Sequence, residues 1–222
     1  MRLTAIAAAA ALAATAGAAR AEPASSQIKA AAFMETVATR GLECGLLRPW
    51  QASAIRALTL TDLDRRTPAQ RAEFAPELDR SLAERSCDDE GVQAWVDAAS
   101  RGFESEMLAP YLVVYRALAA SPAPPKLFTQ TATRLQFAPA IAAIDAKLDA
   151  LAASGLPAEG GKPWPDYIAG VEAAVLDLTA ALDDPDAPPA KRREAAVMAA
   201  QSAHIVELWL LDDGPSPPVE QP

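Results

Sequence analysis

Prolines punctuate this chain. The sequence holds 19 of them. Apart from Pro76, Pro110 and Pro139, they fall at the ends of stretches whose apolar residues recur every three or four positions. Proline inside a helix removes a backbone donor and clashes with the preceding turn, whereas a first turn or a loop tolerates it. Period and punctuation together leave little choice but helices of ordinary length joined by short loops.

From the N-terminal side, Ser25 or Ser26 caps a helix over QIKAAAFMETVATRGLEC, with Ile28, Ala32, Val37 and Cys44 near one face. Pro49 opens a second helix through Trp50, Ala54, Ile55 and Leu58. The alternation in LTLTDL suggests a strand, but no partner run exists for it. TPAQ is the sharpest local signal, with Thr67 as N-cap, Pro68 in the first position and Gln70 completing a capping box. Pro76 is expected to bend or interrupt the third helix before Leu78 and Leu82.

A fourth run starts at CDDE, where Asp88, Asp89 and Glu90 suit the positive end of a helix. Val92, Val96, Ala99, Phe103, Met107 and Val114 hold one face, and Pro110 should kink the run or split it before YLVVYRAL. After SPAPPK, two helical pieces separated at Pro139 lead to Ile141, Ile144, Leu148 and Leu151, with Gly155 as the stop. A seam of Ile168, Val171, Val175, Leu178 and Leu182 follows. The last helix carries a stripe through Val197, Gln201, His204, Leu208 and Leu211, with Met198, Ile205 and Trp209 alongside. The expected fold is all-α: a single-domain bundle of six to eight helices over residues 22–212, several kinked or split at proline, with one disulfide. The Pro-rich, acidic segment 213–222 reads as a disordered tail.

Residues 1–21 have the form of a cleaved secretory signal peptide: an early Arg2, a short alanine-dominated apolar run, and a small-residue ARA site. The expected address is therefore the periplasm or another exported location, with no transmembrane segment. That address bears on the cysteines. The chain has two, Cys44 and Cys87, and an oxidising compartment favours joining them, closing a loop of about 44 residues. No CxxC is present, so a thioredoxin-like redox centre lacks its spacing.

The sequence has 20 basic and 29 acidic side chains, and losing the leader would remove Arg2 and Arg20 and no acid. Such an excess argues against nucleic acid or an anionic membrane as a partner. The KRR at 191–193 stands beside DDPD at 183–186, and mutual compensation is the simpler reading of the pair.

His204 is the only histidine, which removes His-rich metal arrangements and HExxH. With Glu207 three residues on, it suggests a general-base pair, but no nucleophile stands beside it, so a partly buried structural histidine is the plainer reading. CxxCH, GxGxxG, a P-loop and GxSxG are all missing. A calcium loop begun at Asp183 fails because Pro185 and Pro188 occupy its third and sixth positions. Trp164 in KPWPDY reads as a plug of a bundle end, and Asp145 with Asp149 as a solvated helix face. No catalytic, cofactor or metal residue is assigned. The expectation is a non-catalytic protein that binds a protein partner or an apolar small molecule, the latter between helices kinked at Pro110 and Pro139 and lined by residues such as Phe103 and Phe137. The alternatives are an enzyme using carboxylates and His204, and a passive structural or envelope-stress protein.

Overall fold

A computed structural model describes residues 24–100, 102–121, 124–132, 137–155, 158 and 161–212. The leader over 1–21 and the tail over 213–222 lie outside the described residues. Those described form nine α-helices and one π-helical turn, with no strand among them. The helices are α1 (Ala24–Glu43), α2 (Pro49–Asp64), α3 (Pro68–Glu84), α4 (Glu90–Ser100), α5 (Ala109–Ala119), α6 (Lys126–Thr131), α7 (Phe137–Ala153), α8 (Trp164–Asp183) and α9 (Pro189–Asp212). The π turn covers Phe103–Leu108. LTLTDL lies within α2, so its alternation makes no strand. None of these helices is long and apolar enough to cross a membrane.

The chain divides between Phe103 and Glu104 into two compact helical units. In the N-terminal unit α1 is the central helix, packed by α2, α3 and α4. Its Ile28, Ala32 and Val37 are buried. Phe74 packs on Ile28, Ala31 and Leu63. Trp50 meets Phe103 edge to face at 6.2 Å, and Trp95 meets the same ring at 6.1 Å. Polar clasps join the helices as well. Thr36 donates to Ser81 at 2.8 Å from within the buried α1–α3 contact, and Arg56 of α2 pairs with Glu35 at 2.8 Å.

In the C-terminal unit α5 is central, packed by α7, α8 and α9. Pro110 through Tyr115 are all buried, together with Leu118. Ile144, Leu148 and Leu151 of α7 form the expected seam, as does Val175 on α8. Arg116 ties three helices together, donating to Asp145 of α7 at 3.0 Å and to Glu172 of α8 at 2.6 Å.

Pro49 and Pro68 stand in the first two positions of their helices, as expected, and so do Pro110, read from sequence as internal to a longer run, and Pro165. Three expectations about helix ends are corrected. α3 runs through Pro76 without interruption; the residue is exposed, so water can satisfy the carbonyl that loses its donor. α6 ends at Thr131 and α7 begins at Phe137, so Pro139 lies in the first turn of α7, where its missing N–H has no intrahelical partner to lose. α1 already includes Ser25 and Ser26, which therefore do not cap it. The fourth run does split, adding the ninth helix, but the break is around residue 102 and the π turn bridges to α5. Pro110 offers no N–H to the Glu106 carbonyl, which is where a wider turn costs least.

Candidate functional site

Cys44 and Cys87 are bonded to each other, with Cα atoms 5.6 Å apart. Local sequence explains why Cys44 stands where it does. Gly45 adopts φ +69°, the Leu46 N–H donates to the Gly41 carbonyl and the Gly45 N–H to that of Leu42. This is a Schellman ending with Cys44 as the C-cap. Leu47 folds back over Gly41, where a Cβ would lie 2.5 Å from its Cδ1. On the other side Asp89 accepts from the Val92 N–H at 2.9 Å, capping α4, and pairs with Arg85. The capping bond, then the Arg85 charge, hold the Asp89 carboxyl below its ordinary value. Arg85 lies over the Phe33 ring at 4.9 Å, and Arg40 donates to the Leu82 and Arg85 carbonyls. The disulfide thus sits in a brace of α1, α3 and α4 built from charge and packing.

The polar residues singled out from sequence do not assemble. His204 is exposed on α9, not partly buried, whereas Glu207 is buried on the same helix. A step of three residues turns a helix by about 300°, enough to place one side chain at the solvent edge and the other inside. Asp145 is held by Arg116, and Asp149 is exposed. Lys191 pairs with Asp177 of α8 at 3.5 Å, beyond the neighbouring DDPD. Trp164 is buried, its ring 5.7 Å from Tyr167 in an edge-to-face contact. Among the described residues no three His, Cys, Asp or Glu side chains gather as a metal site. Phe103 belongs to the tryptophan cluster of the N-terminal unit, and Phe137 to an aromatic group of the C-terminal one.

That second group is the candidate site. Tyr115 of α5 meets Phe128 of α6 edge to face at 5.1 Å and Phe137 of α7 at 6.4 Å, while Phe128 and Phe137 stack at 5.6 Å. Tyr115 and Phe128 are fully buried; Phe137 is half-buried and carries the cluster to the surface. The Tyr115 hydroxyl is buried and makes no hydrogen bond among the described residues, a state it shares with the indole N–H groups of Trp50 and Trp209. What sets Tyr115 apart is charge. Burial, and then the negative charge of Glu207, push its phenol up to about 12. Ser202 of α9 donates to the Tyr111 carbonyl of α5 at 3.0 Å from within the buried contact of these two helices.

A buried phenol without a partner forfeits about 1–3 kcal/mol. Such a group marks either a place where an outside molecule completes the bond or a site of stored strain. Sequence reasoning missed Tyr115 because YLVVYRAL reads as an apolar face. The signal present was Tyr111 and Tyr115 four residues apart, two hydroxyls on the buried side of one helix. Comparison with family models, with curated proteins and with solved structures finds no match.

Proposed function

We propose that this is an exported helical protein that acts by binding, its cargo a small and mainly apolar molecule held by the C-terminal unit around Tyr115, Phe128 and Phe137. The observation that carries the reading is the Tyr115 hydroxyl, buried among aromatic rings with no hydrogen-bond partner among the described residues. Ligand sites commonly have this composition: apolar and aromatic walls with a few polar groups that fix orientation. The exported address is supported by the leader pattern of residues 1–21 and by the Cys44–Cys87 bond, which reducing compartments rarely maintain.

The test is a native and then denaturing mass spectrum of the full chain, expressed with its leader and recovered from the envelope without reductant. The expected result is a chain shortened by the leader, lighter by two hydrogens, and carrying a small molecule or taking up the neutral apolar probe N-phenyl-1-naphthylamine saturably. Replacement of Tyr115 by Phe should weaken that uptake. A bare, oxidised protein that ignores the probe overturns the small-ligand reading and turns the search to protein partners.

A further inference from the structure

The segment that carries Cys87 is held against α1 without help from sulfur. α3 ends at Glu84, so the Leu82 and Arg85 carbonyls find no donor within their own helix. Arg40, in the last turn of α1, donates to both, at 2.8 and 3.1 Å. The Arg85 guanidinium in turn lies 4.9 Å from the centre of the Phe33 ring on α1 and pairs with Asp89, which caps α4. Deeper in the same contact Thr36 donates to Ser81. Cys44 follows Arg40 within a turn and is fixed by the Schellman ending of α1, and Cys87 lies between Arg85 and Asp89. The two Cα atoms are 5.6 Å apart, an ordinary disulfide separation, so neither backbone has to shift for the bond to close. Both cysteines are half-buried, which leaves the bond within reach of a small thiol.

We propose that the Cys44–Cys87 bond is a reversible redox couple of the folded N-terminal unit, opened and closed by small dithiols and disulfides without unfolding, and that Arg40 is the positioning residue that keeps the two thiols in bonding reach. One thiolate of the dithiol attacks a cysteine sulfur and the other cysteine leaves as thiolate. The second thiolate of the reagent then attacks the reagent's own sulfur in the mixed disulfide and releases the first cysteine. Two electrons and two protons pass to the protein, and the dithiol becomes a cyclic disulfide. Because Arg40, Arg85 and Thr36 still join α1 to α3, the freed thiols stay near each other and the return reaction is effectively intramolecular. The C-terminal unit has no cysteine, so the couple belongs to the N-terminal unit alone and stands apart from the binding reading above.

The experiment equilibrates the oxidised full chain, free of air and denaturant at neutral pH, with mixtures of reduced and oxidised dithiothreitol, traps free thiols with iodoacetamide and counts them by mass. The reduced protein is expected to keep its far-ultraviolet helical signal and the near-ultraviolet signal of its tryptophans, and to recover the bond fully when oxidised dithiothreitol is restored. Arg40→Gln should make the bond at least about tenfold easier to reduce, a shift of about 30 mV. Arg85→Gln, which loses the Phe33 and Asp89 contacts, should shift it the same way by about threefold and serves if Arg40→Gln does not fold. Thr67→Ala weakens the far end of the same α3 and should leave the equilibrium within about twofold of the parent. A bond that dithiothreitol cannot open without denaturant, or a reduced protein that loses its helical signal, overturns the reversible couple. Shifts in both arginine variants no larger than that of Thr67→Ala overturn the role of the clasp.

Discussion

Tyr115 shows how a single side chain couples packing to pH. Its unfolded-state phenol releases a proton near 10.0, and in the folded protein the same proton is held to about 12. Between those values the unfolded chain binds fewer protons, so stability is fully present below pH 10 and falls as pH rises toward 12. Tyr111, buried and pushed up further by desolvation, acts in the same direction. Urea denaturation at pH 9, 10 and 11 should therefore show a falling midpoint. Tyr115→Phe should flatten the fall, by an amount on the order of 1 kcal/mol at pH 11. A second residue-scale expectation concerns Gly45, whose φ of +69° is the hinge of the Schellman ending. Gly45→Ala meets no steric neighbour but must adopt a left-handed backbone, so about 1–2 kcal/mol should be lost, read as a lower thermal midpoint.

At the scale of the element, local chemistry was the most legible part of the chain. TPAQ forms the capping box it encodes: Thr67 accepts from the Gln70 N–H at 3.3 Å and its own N–H donates to the Gln70 side chain at 3.0 Å. Thr67→Ala should cost about 1 kcal/mol, whereas Thr67→Ser should be close to neutral, as chemical denaturation would show. The same strategy misread α9. Of the stripe drawn through Val197, Gln201, His204, Leu208 and Leu211 none is fully buried, and His204 and Leu211 are exposed; the buried face is the one through Met198, Ile205 and Trp209, which the sequence placed alongside, with Ser202 and Val206. Helical spacing fits both faces of an alanine-rich helix almost equally well. Small side chains such as Ala195, Ala199 and Ser202 let α9 approach its neighbours closely, and that close approach selected the buried face. Pro76 is a similar case: the rule against internal proline is real, but an exposed position leaves the orphaned carbonyl to water.

For the whole molecule, the disulfide is the one long-range link that the sequence named in advance. Cys44 and Cys87 are 43 positions apart, and joining them restricts the unfolded chain by up to about 4 kcal/mol on the loop-entropy account. Paired Cys44→Ser and Cys87→Ser replacement should lower stability by about 2–4 kcal/mol in urea. The Arg40 and Arg85 contacts of the brace should keep the unit helical below its new transition, which far-ultraviolet circular dichroism would check. Sequence alone determined the helical class, the helix starts at Pro49 and Pro68, the Thr67 cap and the partner of Cys44. Each follows from period, backbone donors or a count of two thiols, all of which act locally or by elimination. Only the tertiary structure decided which face of α9 is inside, that Arg116 ties α5 to α7 and α8, and that Tyr115, Phe128 and Phe137 converge from three helices. Those outcomes depend on how helices pack, and in a chain so rich in alanine the periodicity of any one helix carries too little contrast to say which neighbour it will meet.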